Sequence, residues 1–430
     1  MNLFTKQKIK NRQDIFAALD IGTSKICCAI AKVDNRTREK EGEALRLIGL
    51  GHQSSKGMKG GMIVDLESLE DAILNAVHSA EQMAGQTISS VCVNLSASSV
   101  RSQTVESHIN LSNQTIDNTH VRRLLTFGHS PQIPEDQQII HALPISYSLD
   151  ATHGIQDPRG MIGDKLSVTI HLVTTPKALV RNLQNCIGRC HLDVSGFVVT
   201  PYASGLSTLV DDELTLGATV IDMGGGTTTI ASFLDGTLIH VDSLPVGGAH
   251  VTSDIARGLS TPLAQAERLK TLYGTVIMSS SDERENIVVP QLGDTLGEYQ
   301  EPATHQIPKS LLIHIVKSRV EETLELIWDR LSEAGMDRLV CQRIILTGGG
   351  SQLPGIREMA ATLWNRQVRY GQPTAIIGTS DFAKNPMFST CAGLLQYAWR
   401  DYTGSQNMVQ IETIPAHWGQ RATTWIRENF

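Results

Sequence analysis

The stretch ALDIGTSK at residues 18–25 returns, altered but legible, as VIDMGGGTT at residues 220–228. Each copy ends an apolar, β-branched run and opens into another, the pattern of strand, tight turn and strand. Glycine at the bend lets backbone N–H groups approach an anion with no Cβ in the way, and the hydroxyls of Thr23, Ser24 and Thr227 add donors. Asp20 and Asp222, at the end of the first strand of each copy, offer carboxylates to a Mg2+ ion that keeps most of its waters. Either turn alone is an ordinary hairpin signal. Two of them about 200 residues apart, in segments of matching pattern, predict duplicated lobes that face each other across one phosphate-binding site.

Two further glycine turns extend the pattern. RIILTGGGS at residues 343–351 is a buried-type strand that runs into Gly348, Gly349 and Gly350 and then a helix with Pro354 near its start, a backbone thin enough for close approach of a base or phosphate. VGGAH at residues 246–250 puts Gly247 and Gly248 at a helix start, and on the following helix Glu267 and Lys270, three apart, share a face. The bland alternatives are a plain strand–helix loop for the first and a solvated surface pair for Glu267 and Lys270.

Outward from the turns, strands alternate with helical-period segments, which indicates an α/β architecture with mixed sheets. Strands are expected at Ile15–Asp20, Lys25–Ala31 and Leu45–Gly51, then a helix from about Leu66 to Met83. From Ser89 to about Val173 the rhythm changes to strand-like runs (Ser90–Leu95, Ser99–Ile109, Gln138–Tyr147, Lys165–Val173) around one helix near Thr119–Phe127, which reads as a small α+β insertion. A helix at Pro176–Cys190, a strand at Leu192–Val199 and a second strand set at Thr215–Ile221, Thr228–Phe233 and Thr237–Val241 follow. Val316, Val320, Leu324, Ile327 and Leu331 form one apolar stripe at helical spacing, a core helix. The resulting division is a first-lobe core at 1–88 with 174–206 and 374–400, an insertion at 89–173, and a second-lobe core at 207–245 with 313–373. A smaller second-lobe subdomain at 246–312, a polar linker at 401–413 and an amphipathic helix at 414–430 complete it.

At 430 residues, 41% hydrophobic and 19% charged, the chain can fill more than one core. A net charge of −7 with no long basic run argues against general nucleic-acid binding. Seven cysteines make no paired metal-finger spacing, and Cys186, Cys190 and His191 fall at the end of a packed helix; the odd count fits a reducing compartment. No apolar run reaches the ~18–20 residues of a spanning helix, and residues 1–14 lack the apolar segment of a signal peptide, so a cytoplasmic or membrane-surface location is expected.

In order and spacing these turns resemble the actin, heat-shock chaperone and sugar-kinase superfamily. The resemblance implies an actin-like two-lobed ATPase fold with duplicated mixed sheets, binding ATP and Mg2+. It implies that Asp20 and Asp222 hold Mg2+ through water, and that Gly22, Thr23, Ser24 and Lys25 meet the phosphates on one side while Gly224, Gly225, Gly226 and Thr227 meet them on the other. Gly348, Gly349 and Gly350 would flank the adenosine, with Gly247 and Gly248 at the same cleft and Glu267 and Lys270 near the ribose. The two helices that cross between lobes in this superfamily would fall at the small-residue segments Pro201–Gly205 and Cys391–Leu394.

Within the superfamily, the FtsA family of bacterial cell-division proteins is similar from about Ile15 to Tyr397. DIGTSK at 20–25, GMKGGMIVDL at 57–66, VTSDIA at 251–256 and LTGGG at 346–350 carry the match, together with the Ser89–Val173 insertion. What the resemblance implies is an ATP-dependent scaffold with at most slow ATPase activity. It would bind the C-terminal tail of FtsZ, the cytoplasmic membrane and other divisome proteins at the inner face of the division septum. The insertion is the expected self-association surface. Arg257 and Arg268, on the smaller second-lobe subdomain, are the candidate contacts for an acidic, apolar tail. A sugar or acid kinase, or a pilus-assembly protein of the PilM kind, is the alternative on the same fold.

The tail from about Pro415 reads as an amphipathic helix lying in the membrane interface, with Trp418, Trp425, Ile426 and Phe430 as its apolar contacts. Tails of this family are usually rich in Lys and Arg, whereas residues 411–430 carry only Arg421 and Arg427 against Glu412 and Glu428.

Overall fold

Both hairpins form as expected, and each sits at the centre of its own sheet. The computed structural model describes residues 15–33, 45–96, 99–127, 133–292, 304–374, 376–377 and 384–403. In the first sheet, Ile15–Ile21 pairs antiparallel with Lys25–Val33 and parallel with Ser90–Leu95. In the second, Ala218–Met223 pairs antiparallel with Thr228–Leu234 and parallel with Arg343–Thr347. Even the register repeats, since Asp20 lies opposite Cys27 and Asp222 opposite Thr229. The first sheet continues through Leu45–Ser54 to Ile376–Ile377 on one side and Asp193–Val199 on the other; the second runs from Thr237–Leu244 to Gln367–Tyr370. The echo in the sequence is therefore a topological duplication.

One expectation changes here. Ser90–Leu95, read in the sequence as opening the insertion, lies between Ile15–Ile21 and Asp193–Val199 in the first sheet. Its apolar run SVCVNL, buried over residues 91–95, fits a central parallel strand covered on both faces. A separate four-stranded sheet is built from Arg101–Thr115, Ile162–Pro176, Gln137–Leu149 and Thr152–Ile155, with the helix Asn118–Phe127. Thr104–Gln132 and His141–Leu172 belong to a second compact unit. In Arg101–Thr115 the buried residues are Val105, Ser107, Ile109 and Leu111, the two-residue period of a strand with one face covered.

The helix Leu66–Ala84 starts where Asp65 caps it, its carboxylate accepting from the Ser68 amide at 3.2 Å and the Ser68 hydroxyl at 2.6 Å. It ends at Gly85, whose φ of 67° is the left-handed conformation that glycine accepts without strain. Its buried face, Leu69, Ala72, Ile73, Ala76, Val77 and Ala80, lies on the strand Leu45–Ser54. The long helix Lys309–Glu333 buries the stripe Val316, Val320, Leu324, Ile327 and Leu331. It shares its core with the helices Gly248–Gly258 and Leu263–Tyr273 and with the hairpin Asn286–Pro290/Thr304–Pro308.

Two helices of small residues join the sheets: Thr200–Thr208, buried throughout, and Ser389–Thr403. They touch backbone to backbone, because a Cβ on Gly393 would lie 1.7 Å from the Ala203 carbonyl oxygen. The second of them runs through Thr403, so it takes in the first three residues of the stretch expected to be linker. The amphipathic tail at 414–430, with Trp418, Trp425, Ile426 and Phe430, lies outside the described residues, as does 1–14. Among the described residues no helix is long and apolar enough to cross a membrane.

Candidate functional site

The two hairpins meet tip to tip. A Cβ on Gly225 would stand 1.9 Å from Ser24 Oγ, and one on Gly226 would stand 2.5 Å from Thr23 Oγ1. Beside them the Ser96 and Thr227 hydroxyls are 2.9 Å apart. Around this contact opens a cleft of about 590 Å³, within the ~300–1,000 Å³ of small-molecule sites. It is lined by Asp20, Gly22, Thr23, Ser24 and Lys25 of the first hairpin and by Asp222, Gly224, Gly225, Gly226 and Thr227 of the second. Gly348, Gly349 and Gly350 line it too, with Gly247, Gly248, Glu267 and Lys270. Every nucleotide and metal residue chosen from sequence thus faces one cavity.

Within it the residues divide by what they already bond. The amides of Gly248 and Ala249 donate to the Gly224 and Gly225 carbonyls at 2.9 and 2.8 Å, so this helix start braces the second hairpin from behind. Lys270 Nζ donates to Glu267 at 2.7 Å, Thr252 Oγ1 at 2.9 Å and the Gly248 carbonyl at 3.2 Å, while Thr252 also donates to Glu267. Lys270 is thereby held in the cleft wall, while its partner Glu267 lines the cleft with about half of its side chain (54%) still in solvent. Gly61 donates its amide to Thr23 Oγ1 at 3.3 Å, which ties the hairpin Met58–Lys59/Met62–Ile63 to the first turn.

Asp20 and Asp222 are both buried, and burial pushes both carboxyls above the usual range. For Asp20 the ammonium of Lys25, 3.5 Å away, opposes that rise while the Asp222 charge adds to it. For Asp222 the hydroxyls of Ser204 and Thr390 oppose it, donating to the same carboxylate oxygen. Burial acts most strongly on Lys25 and would lower its pKa, but the charge and hydrogen bond of Asp20 together with the neighbouring Cys27 and Cys391 outweigh it and hold the ammonium above its ordinary value. Lys25 also donates to the Met387 carbonyl and lies 4.6 Å from the centre of the Phe388 ring. Two buried carboxylates with too little positive charge between them are what a hydrated dication would neutralise. Among the described residues no cluster of three or more metal-type side chains occurs. Cys186 and Cys190 are buried free thiols.

Sequence reading missed the polar supports. Asn94 accepts from the Ile21 amide at 2.7 Å and donates to Thr200 Oγ1 at 3.2 Å, which holds the first hairpin to the start of the crossing helix. Ser204 and Thr390 sit on the two crossing helices and fix Asp222. The small-residue runs at 201–207 and 389–393 signal close packing, but not which hydroxyls turn to the cleft.

The raised Asp222 has a consequence for stability. An acid whose pKa is higher in the folded state holds more protons folded than unfolded, so folding loses stability as pH climbs through the carboxylate range. Asp222→Asn keeps the acceptor for Ser204 and Thr390 and removes the charge. Without divalent cation at pH 7 the variant should melt about 1–2 °C higher, an effect of the order of 1 kcal/mol. The Mg2+ dependence of any nucleotide binding should fall at least about ten-fold, as expected when a charged ligand partner is lost. A lower melting midpoint together with unchanged Mg2+ dependence would count against this role.

Duplicated sheets of one topology, two crossing helices and a glycine-walled cleft between the hairpins define an actin-like protein with an inserted α+β unit. Solved structures of that fold align with most of the chain. The PilM–PilN type IV pilus biogenesis complex does so with a TM-score of 0.62 at 16% identity, over 89% of this chain and 98% of that one. MreB5 of Spiroplasma citri bound to ADP does so with a TM-score of 0.53 at 14% identity, over 91% and 98%. At such identities the likeness is one of fold. The family model for cell division protein FtsA matches residues 219–393, and that for the SHS2 domain inserted in FtsA matches residues 97–174. Cell division protein FtsA of Agrobacterium fabrum is 44% identical over 393 residues, 90% of this chain and 87% of that protein. The chain belongs to the FtsA family of cell-division proteins.

Proposed function

We propose that the chain binds ATP with Mg2+ in this cleft, polymerises, and tethers FtsZ filaments to the cytoplasmic face of the inner membrane at the division septum, where it recruits later divisome proteins. The observation that carries the nucleotide reading is the meeting of the two hairpins, each with a buried aspartate behind it, over an open cleft. Asp20 and Asp222 would hold hydrated Mg2+, and bound Mg2+ would neutralise charge on the phosphates. Gly22, Thr23, Ser24 and Lys25 would receive those phosphates from one side and Gly224, Gly225, Gly226 and Thr227 from the other. Gly348, Gly349 and Gly350 would flank the base, and Glu267 and Lys270 the ribose, with Gly247 and Gly248 bracing from behind. A solved neighbour of the same fold, MreB5, has ADP bound, which supports the assignment.

Turnover would be slow at most. The carboxylates among the described cleft residues are Asp20, Asp222 and Glu267, and each is engaged: with Lys25, with Ser204 and Thr390, and with Lys270. A kinase needs a carboxylate directed at an acceptor hydroxyl, so this occupancy weighs against that alternative.

We assign self-association to the inserted unit, because none of the described residues lining the cleft comes from 104–172. The FtsZ tail is assigned to the smaller second-lobe subdomain. Arg257 and Arg268 are exposed there, and Leu263, Leu272 and Ile277 are more than half exposed on the same subdomain. That combination suits an acidic, apolar peptide. Lys270, held in the cleft wall, is not part of that surface. In cosedimentation with lipid vesicles, ATP and Mg2+, the chain should bring FtsZ into the pellet. The double variant Arg257→Ala/Arg268→Ala should pellet normally but carry about five-fold less FtsZ, as expected for loss of two interface charges. FtsZ left in the supernatant by the unaltered chain would refute the tethering role, and full recruitment by the variant would refute the assigned surface.

A further inference from the structure

Before it enters the inserted unit the chain passes two serines. Ser96 follows directly on Ser90–Leu95, a strand of the first sheet, yet its hydroxyl bonds across to Thr227 at the tip of the second hairpin, 2.9 Å away. Further on, Ser102 Oγ accepts from the Val241 amide at 3.1 Å. Val241 lies on Thr237–Leu244, the edge strand of the second sheet, so Ser102 answers an amide at a sheet edge. Ser102 stands near the start of the strand Arg101–Thr115, which from Thr104 onward belongs to the inserted unit. The return is fastened differently. From Val173 the chain is back in the main unit, where the Lys177 amide donates to the Asp136 carbonyl at 2.9 Å and the helix Lys177–Arg189 packs on Leu66–Ala84, the helix of the first sheet. A strand joined to the first sheet by covalent bonds is thus tied to the second by hydrogen bonds just before the insertion begins.

Neither bond is a firm brace alone. A net hydrogen bond between partly exposed groups gains little over water, so each opens and closes on its own. A nucleotide received between Gly22–Lys25 and Gly224–Thr227 would fix the spacing of the two hairpins. With Thr227 held, Ser96 has less freedom to lose on meeting it, and the strand beyond is ordered in turn. We propose that Ser96 and Ser102 couple the cleft to the inserted unit: nucleotide in the cleft orders the strand that enters the insertion, and with it the surface assigned to self-association. Such coupling is reciprocal, so association through the insertion tightens the cleft on its nucleotide. The proposal rests on the reading of the cleft as a nucleotide site.

Hydrogen exchange on the full-length chain tests it, with and without Mg2+–AMPPNP and below the concentration at which the chain sediments. In the unaltered chain nucleotide should slow exchange in both hairpins. It should also slow Arg101–Thr115 by at least about five-fold, the lower end of ordinary coupling between sites. In Ser96→Ala/Ser102→Ala the hairpins should stay protected while the effect of nucleotide on the strand shrinks to less than about two-fold. Ser102 is not among the described residues that line the cleft, so Ser102→Ala alone should keep nucleotide affinity and still weaken the response of the strand. Two results would overturn the proposal: a strand that responds fully to nucleotide in the double variant, even if it exchanges faster throughout, or one that does not respond in the unaltered chain although the hairpins do. Hairpins left unprotected by nucleotide in the unaltered chain would instead remove the nucleotide reading, and the coupling with it.

Discussion

Leucine in place of Gly349 should weaken nucleotide binding about 100-fold and leave the fold intact, the upper end of the ~1–3 kcal/mol that overfilling a packed site costs. Gly349 lines the cleft and a Cβ at this position meets no atom within 4 Å, so the added side chain has open space around it and no protein neighbour to displace. Gly225 gives the contrast: valine there collides with Ser24 before any ligand arrives, because the two hairpins already touch. Gly225→Val should therefore lose both nucleotide affinity and several degrees of melting midpoint, whereas Gly349→Leu loses only the first. Titration of a fluorescent ATP analogue, with a melting curve for each variant, separates them. Wild-type affinity in Gly349→Leu would exclude the cleft as the nucleotide site.

Changing Trp418 and Trp425 together to glutamate should move the chain from the vesicle pellet to the supernatant, with ATP and FtsZ binding retained. On a helix at 100° per residue Trp418, Ala422 and Trp425 would fall within about 60° of arc with Ile426 beside them, while Gln420, Thr423 and Arg427 would face away. Indole rings favour the headgroup boundary, where the ring is apolar and its N–H can still be satisfied. Full burial of one large apolar side chain is worth roughly 1.5–3 kcal/mol, so two partly inserted tryptophans and Ile426 would make a reversible anchor. Arg421 and Arg427 are balanced by Glu412 and Glu428, so anionic lipid would add little, and firm attachment would need many copies on one polymer. Continued vesicle binding by the double variant would place the anchor elsewhere.

What the sequence makes legible is what strand periodicity and glycine can encode. The two Asp-containing turns and the stripe on Lys309–Glu333 stand where their patterns put them, and the crossing helices where the superfamily resemblance put them. Ser90–Leu95 was misplaced because its neighbours in the sheet are about 70 and 100 residues away along the chain, and a buried run carries no mark of its partner. The polar supports Asn94, Ser96, Ser204 and Thr390 were invisible for a different reason. A serine or threonine in a strand or small-residue helix is commonplace, and only the folded arrangement decides which hydroxyl meets Asp222.

The crossing at Gly393 and Ala203 makes a rivet. With backbone against backbone the two helices that join the sheets are held at their closest separation there, so any turn of one helix against the other would pivot at that point. A turn about a rivet is a lever: closing the cleft by the width of one hydrogen bond moves parts farther from the rivet by more, in proportion to their distance. In a head-to-tail row of copies such displacements would add along the row. The length of the row would then register, in mechanical form, what its clefts contain.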